Sequence, residues 1–135
     1  MILFPITVVD FGFESVVYST SESGDTVNVA VIKYGSSTLS LSVRLSTVSG
    51  SATSPEDYTQ LSDLDLTFSP EQRRRTVSIS IVNDSILESA EQFSIMLTQL
   101  VPQARVMETL DSTTITITDD DCEGIDTNKV QYSDV

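Results

Sequence analysis

Three carboxylates in succession, Asp119, Asp120 and Asp121, follow directly on an alternating Thr/Ile run in "TITITDDD". Adjacent anions repel, so a strand that ends this way either leaves them to solvent or holds a cation against them. Other acids come in groups: Glu22, the pair Glu56 and Asp57, and Asp84, Glu88 and Glu91 within "NDSILESAEQF". Carboxylate oxygens are ligands for hard divalent cations, which take about six to eight oxygens at about 2.3–2.6 Å. The chain has no histidine and a single cysteine, Cys122, so zinc or copper would lack their usual donors. Without histidine there is also no Ser-His-Asp or Cys-His nucleophile. Phosphate-binding glycine loops are absent, and four Tyr with no Trp supply no walls for a glycosidase cleft. Cys122 follows the acidic run, where negative charge disfavours its thiolate, and reads as incidental. The chemistry on offer is cation binding rather than catalysis, and we expect a non-enzyme.

The totals agree with a cation as partner. The net charge is −13, which argues against nucleic acid and anionic membrane surfaces as partners. The chain is 135 residues long and 39% hydrophobic, enough for one domain with its own core. One cysteine allows no intrachain disulfide. No stretch approaches the ~20 apolar residues of a membrane-spanning helix. The opening "MILFPITVV" lacks the basic start of a signal peptide. We expect one piece of a larger protein, monomeric as an isolated domain because no exposed apolar stripe is evident.

The elements that must position these acids alternate with a period of two. Val27, Val29 and Val31 share one face of "TVNVAVIK", and Leu39, Leu41, Val43 and Leu45 alternate with Ser40, Ser42, Arg44 and Ser46. Leu64, Leu66 and Phe68, then Val77, Ile79 and Ile81, then Phe93, Ile95 and Leu97, and finally Ile115 and Ile117 repeat the pattern. A first, broken strand runs through "ITVVDFGFESVVYS". Alternation with Ser or Thr opposite suits strands with one wet face. Turn signals at Ser23-Gly24, Gly35-Ser36 and Ser69-Pro70 separate them. The predicted fold is all-β: a seven-stranded, immunoglobulin-like antiparallel β-sandwich over residues 1–121, with 122–135 as linker or tail.

Strand parity then sorts the charges. In an antiparallel order, alternate connections gather at the same end. Glu22, Glu56–Asp57, Asp84–Glu88–Glu91 and Asp119–Asp121 fall at one pole. Lys33, Arg73, Arg74, Arg75 and Arg105 fall at the other. Four segments bringing carboxylates to one end favour a metal site over a merely solvated rim. The arginine run, with no aromatic platform between its charges, reads as a solvated turn rather than a nucleic-acid patch. An odd strand count puts the chain ends at opposite poles, so repeats could stack head to tail, basic pole against acidic pole.

The residues "EDYTQ", "LTFSPEQRRRTVSISIVNDSILESAEQF" and "TITITDDD" resemble the Calx-β domain, a calcium-linked sandwich found in sodium–calcium exchanger loops, an integrin β subunit, adhesion receptors and matrix proteins. The resemblance covers Phe11 to Asp121. It implies Ca²⁺ as the bound ion, with Glu22, Asp57, Asp84, the Ile86 carbonyl, Glu88, Glu91, Asp119, Asp120 and Asp121 as ligands. Asn83 stands where the family often has an aspartate, which implies fewer ions or weaker binding because one negative charge is lost. Asn83-Asp84-Ser85 is also an N-glycosylation sequon, and a glycan there would obstruct the ion.

The resemblance implies a calcium-binding structural or adhesion module, one repeat of an extracellular or cell-surface protein, in which Ca²⁺ stiffens the junction to neighbouring domains. The lost aspartate and the absence of a sensor-type insertion favour that use. The alternatives are a cytosolic Ca²⁺ sensor domain of a transporter, and a metal-free domain that binds protein ligands.

Overall fold

The computed structural model describes residues 7–83 and 89–119. Among the described residues, nine strands form two facing sheets: β1 (Val9–Phe13), β2 (Val17–Ser21), β3 (Thr26–Tyr34), β4 (Leu41–Ser49), β5 (Leu64–Phe68), β6 (Arg74–Ser80), β7 (Glu91–Gln99), β8 (Ala104–Val106) and β9 (Ser112–Thr118). Short 3₁₀ turns occupy Glu22–Gly24 and Glu108–Leu110. One sheet has the order β6-β3-β1-β8 and the other β2-β9-β7-β4-β5.

The all-β immunoglobulin-like sandwich holds, but with nine strands instead of seven and with two parallel pairings. Both differences have one cause: the first and last strands each divide between the sheets. β1 lies beside β8 in the first sheet and β2 beside β9 in the second, both pairs parallel. The register shows why parity survives. Asp10 faces Tyr34 and Phe13 faces Val31, so β1 begins at the end where β3 finishes, and β2 continues the same way to the turn that starts β3. β8 and β9 repeat this path, since Val9 pairs with Ala104 and Ser21 with Thr118. Nine segments therefore make seven passes along the sandwich, and the two poles keep the connections that alternation assigns them.

The alternating apolar residues meet between the sheets. Val27, Val29, Val31, Val77, Ile79 and Ile81 from one sheet pack on Val43, Leu45, Leu66, Phe93, Ile95, Leu97, Ile115 and Ile117 from the other, all buried. Phe11 meets Phe68 edge to face at 5.0 Å, and Tyr58 stacks on Phe93 at 3.8 Å. Leu39, the expected start of the fourth strand's alternation, stays outside β4 and is exposed. Its backbone N–H is taken by the Ser37 hydroxyl in a local turn that competes with strand pairing.

Gly12 permits a close approach that no other residue would. A Cβ there would stand 2.6 Å from Leu110 Cβ. Its bare backbone lets the Glu108–Leu110 turn settle on β1, which carries the last pass from β8 across to β9.

The basic pole differs from its expected form. Lys33 is not on a solvated turn: it lies in β3 and is 2% exposed. It continues the Val27, Val29, Val31 series on the inner face, and its stem carries Nζ to the carbonyls of Ser69 (3.1 Å) and Pro70 (2.9 Å). A buried ammonium needs such partners. Arg74 pairs with Glu14 at 2.9 Å and Arg105 with Asp10 at 2.6 Å, while Arg75 donates to the Thr67 carbonyl.

Candidate metal centre

At the opposite pole, strand register gathers the acids. Glu22 opens the 3₁₀ turn after β2, and the preceding residue, Ser21, pairs with Thr118 at the end of β9. Asp119 is thus the next residue along the neighbouring strand. The antiparallel register of β7 and β9 sets Glu91 opposite Ile117. From the other sheet, Ile81 N–H donates to the Asp25 carbonyl at 2.8 Å and Val82 N–H to the Asp57 carbonyl at 3.0 Å. Those bonds bring the exit of β6, and Asn83 after it, against both the 3₁₀ turn and the β4–β5 loop.

Local chemistry explains why each segment stops here. The Ser21 hydroxyl accepts from Ser23 N–H and caps the turn. Asp25 follows with φ of 66° and ψ of −46°, close to a γ-turn of positive φ, a rare conformation that reverses the chain sharply between the turn and β3. In the β4–β5 loop, Asp57 Oδ2 accepts from Thr53 N–H at 2.9 Å, and the Thr53 hydroxyl donates to Glu56 Oε1 at 3.2 Å. The loop leans on the start of β7 through Ala52 N–H to the Gln92 carbonyl (2.8 Å) and Gln92 N–H to Ser51 Oγ (2.9 Å). A Cβ on Gly50 would stand 2.6 Å from the Gln92 carbonyl oxygen, so glycine allows this approach.

Burial separates the members. Glu22 is 4% exposed, Asp57, Glu91 and Asp119 are half-buried, and Asn83 is exposed. Asp84, Ile86, Glu88, Asp120 and Asp121 lie outside the described residues, as does the sequon beyond Asn83. Among the described residues, no three acids close into a group that could hold a metal ion by themselves. The donor set nonetheless suits a hard cation, since it is made of oxygens.

Two participants in this arrangement were not singled out by sequence reasoning. The Asp25 carbonyl joins the 3₁₀ turn to β6, for which the Ser23-Gly24 turn signal was the only trace. Tyr58 is 1% exposed although it sits in a loop. Its signal was a large aromatic immediately after an expected ligand.

An immunoglobulin-like sandwich with carboxylates from separate loops and strand ends gathered at one pole defines a class of metal-linked β-sandwich modules. The chain belongs to the Calx-beta domain family, whose model matches residues 7–121. Members of this family bind calcium, and it is not a family of enzymes. Among solved structures, the apo form of the Calx CBD1 domain is similar, with a TM-score of 0.78 and 24% identity, covering 84% of this chain and 99% of that one. The tandem CBD12 of CALX1.2 gives a TM-score of 0.77 and 25% identity over 83% of this chain. This chain spans only 46% of that one, and domains of the family occur in tandem with neighbours. The Calx CBD2 domain gives a TM-score of 0.73 and 17% identity, covering 82% of this chain and 86% of that one. No curated protein matches the chain in sequence. No helix among the described residues is long and apolar enough to cross a membrane.

Proposed function

We propose that this chain is a calcium-binding regulatory module whose ion sits at the acidic pole. The ligands would be Glu22, Asp57, Asn83, Asp84, the Ile86 carbonyl, Glu88, Glu91, Asp119, Asp120 and Asp121. The observation that carries the proposal is the convergence of Glu22, Asp57, Asn83, Glu91 and Asp119 through strand register and backbone hydrogen bonds, with Glu22 buried there. Bound calcium would offset the repulsion among these carboxylates and tie three connections to the residues leaving β9. Residues 1–121 would then be the folded module and 122–135 the segment that transmits its stiffness to the next domain.

Between the two uses, the sensor of a membrane transporter on its cytoplasmic side is better supported than the extracellular adhesion or matrix spacer. Similar solved chains include Calx CBD domains and a calcium binding domain CBD12 of CALX1.1. The spacer reading keeps one argument, the asparagine at position 83, which would weaken the site.

Thermal unfolding in EDTA and across a calcium series, with magnesium as control, tests both. Calcium binding only the folded state at ~100 times its dissociation constant adds roughly 2.7 kcal/mol. A calcium-specific rise, abolished in Asp119→Ala, is the expected result. A dissociation constant of about 10⁻⁷–10⁻⁵ M fits the sensor and about 10⁻⁴–10⁻³ M the spacer. No response to calcium would leave a metal-free interaction domain.

A further inference from the structure

The residue beside Asp57 joins the two sheets at the acidic pole. Tyr58 forms an isolated antiparallel bridge with Ile81, the residue after β6 in the four-stranded sheet. That bridge is flanked by Thr59 N–H to the Ser80 carbonyl and Val82 N–H to the Asp57 carbonyl, both at 3.0 Å. Its ring crosses to the five-stranded sheet and stacks on Phe93 at 3.8 Å with an interplanar angle of 8°. Its hydroxyl lies 2.8 Å from Ser49 Oγ, and Ser49 is the register partner of Phe93 on β4. One side chain is therefore held by β4 and β7 while its own backbone holds β6.

We propose that Tyr58 is the positioning residue of the metal pole: a clamp between the sheets that fixes where Asp57 stands relative to Asn83 and Glu91. The proposal rests on the calcium reading above for its functional consequence, but its structural content is independent of the ion. Phe93 is two residues from Glu91 in the same strand, and Val82 immediately precedes Asn83. The stack and the bridge thus govern the spacing of three proposed ligand segments from within the core. The stacked pair buries a large apolar area and contributes beyond that area, and a tyrosine has few rotamers to lose. A leucine at position 58 would fill much of the volume without fixing the loop's angle. Groups that orient metal ligands in this way change affinity by about 10- to 100-fold when removed, although they never touch the ion.

The test uses Tyr58→Leu, Tyr58→Phe and, as a control, Phe68→Leu, which breaks the other aromatic pair of the core, Phe11 with Phe68. Amide hydrogen exchange is read first without calcium. Tyr58→Leu is expected to speed exchange at Val82 and Thr59, whereas Phe68→Leu leaves these amides protected relative to its own global stability. Calcium titration follows: Tyr58→Leu weakens binding by about 10-fold or more, and Tyr58→Phe, which keeps the stack, stays within about twofold. Phe68→Leu does not change affinity. Phe93→Leu removes the stack from the other side and replaces Tyr58→Leu should that variant fail to fold. Unchanged exchange at Val82 and Thr59 overturns the clamp whether or not calcium binds. Equal weakening of calcium by Phe68→Leu also overturns it, since stability alone would then explain the effect. Faster exchange in a protein that never responds to calcium keeps the clamp and refutes the calcium reading.

Discussion

The two poles of the sandwich solve the same electrostatic problem in opposite ways. At the basic pole the chain supplies the counter-groups itself: Lys33 is met by two carbonyls, Arg74 by Glu14 and Arg105 by Asp10. At the acidic pole the contributing segments contain no Lys or Arg at all, whether 20–25, 50–63, 82–91 or 118–121. One end meets two of its arginines with carboxylates and its lysine with carbonyls, whereas the segments at the other bring no cation of their own. Those internal pairs weaken the head-to-tail picture of basic pole on acidic pole, because Arg74 and Arg105 already engage carboxylates within the domain. The difference teaches that net charge alone is a poor guide to partners. What matters is which charges the fold has already answered.

The largest effect that could break this comparison is at Lys33. Lys33→Met keeps an apolar stem in the core but takes the donor from the Ser69 and Pro70 carbonyls. A loss of about 1.5–3 kcal/mol is expected, the usual range for hydrogen bonds to a charged group. Urea unfolding should give the same loss in EDTA and in calcium, because the partners of Lys33 are backbone carbonyls at the opposite end from the acids. A loss that grows with calcium would show that the poles are coupled through β3. Stability equal to the parent would mean that dehydrating the ammonium offsets both bonds.

Lys33 also shows how far the sequence can be read. The run Val27, Val29, Val31 places residue 33 on the inner face by simple alternation, yet a lysine at the end of a run also reads as the start of a turn. Only the position of the β5–β6 turn, a tertiary fact, shows that its ammonium has somewhere to go. The break in the first strand was legible because "VVDFGFESVVYS" carries polar residues between two apolar stretches. The matching break in the last was not, since β8 is three residues long and contains Arg105. Pairing with β1 defines it, and pairing is not local. The acidic pole was legible in outline because parity follows from the number of passes, which splitting the end strands leaves unchanged. What joins the segments there was not legible: Tyr58 and the Asp25 carbonyl make contacts far apart in sequence.

A smaller test concerns an exception to the idea that the fold answers its own polar groups away from the acidic pole. Thr113, near the start of β9, is 1% exposed, and its hydroxyl has no hydrogen-bond partner among the described residues. It lies on the inner face with Ile115 and Ile117. Burying an unanswered hydroxyl costs free energy. Thr113→Val, which keeps the shape, is therefore expected to stabilise the domain by about 1 kcal/mol, measured as a higher unfolding midpoint in EDTA. A destabilised variant would show that an internal water answers the hydroxyl in solution, and the self-sufficiency seen at Lys33 would then extend to Thr113.

The smallest expected effect is at the Asp10–Arg105 pair, and its pH dependence has a definite sign. The hydrogen bond from Arg105, reinforced by its charge, holds the Asp10 carboxyl below the ordinary aspartate range. A carboxylate with a lowered folded pKa adds stability above its unfolded value of about 3.9 and loses it as pH falls through the folded value. The pair is solvent-exposed and screened, so the contribution is small. Asp10→Asn should unfold slightly more easily than the parent near neutral pH and at low salt. The two midpoints should begin to converge as pH drops below about 4 and meet only below the lowered folded value, where the parent's own carboxylate is neutralised. Raising ionic strength at neutral pH should narrow the gap as well. A gap that persists in acid would mean that the substitution disturbs the parallel β1–β8 pairing, in which Asp10 and Arg105 are register partners. The basic pole would then be held by strand geometry, with the ion pair only a decoration upon it.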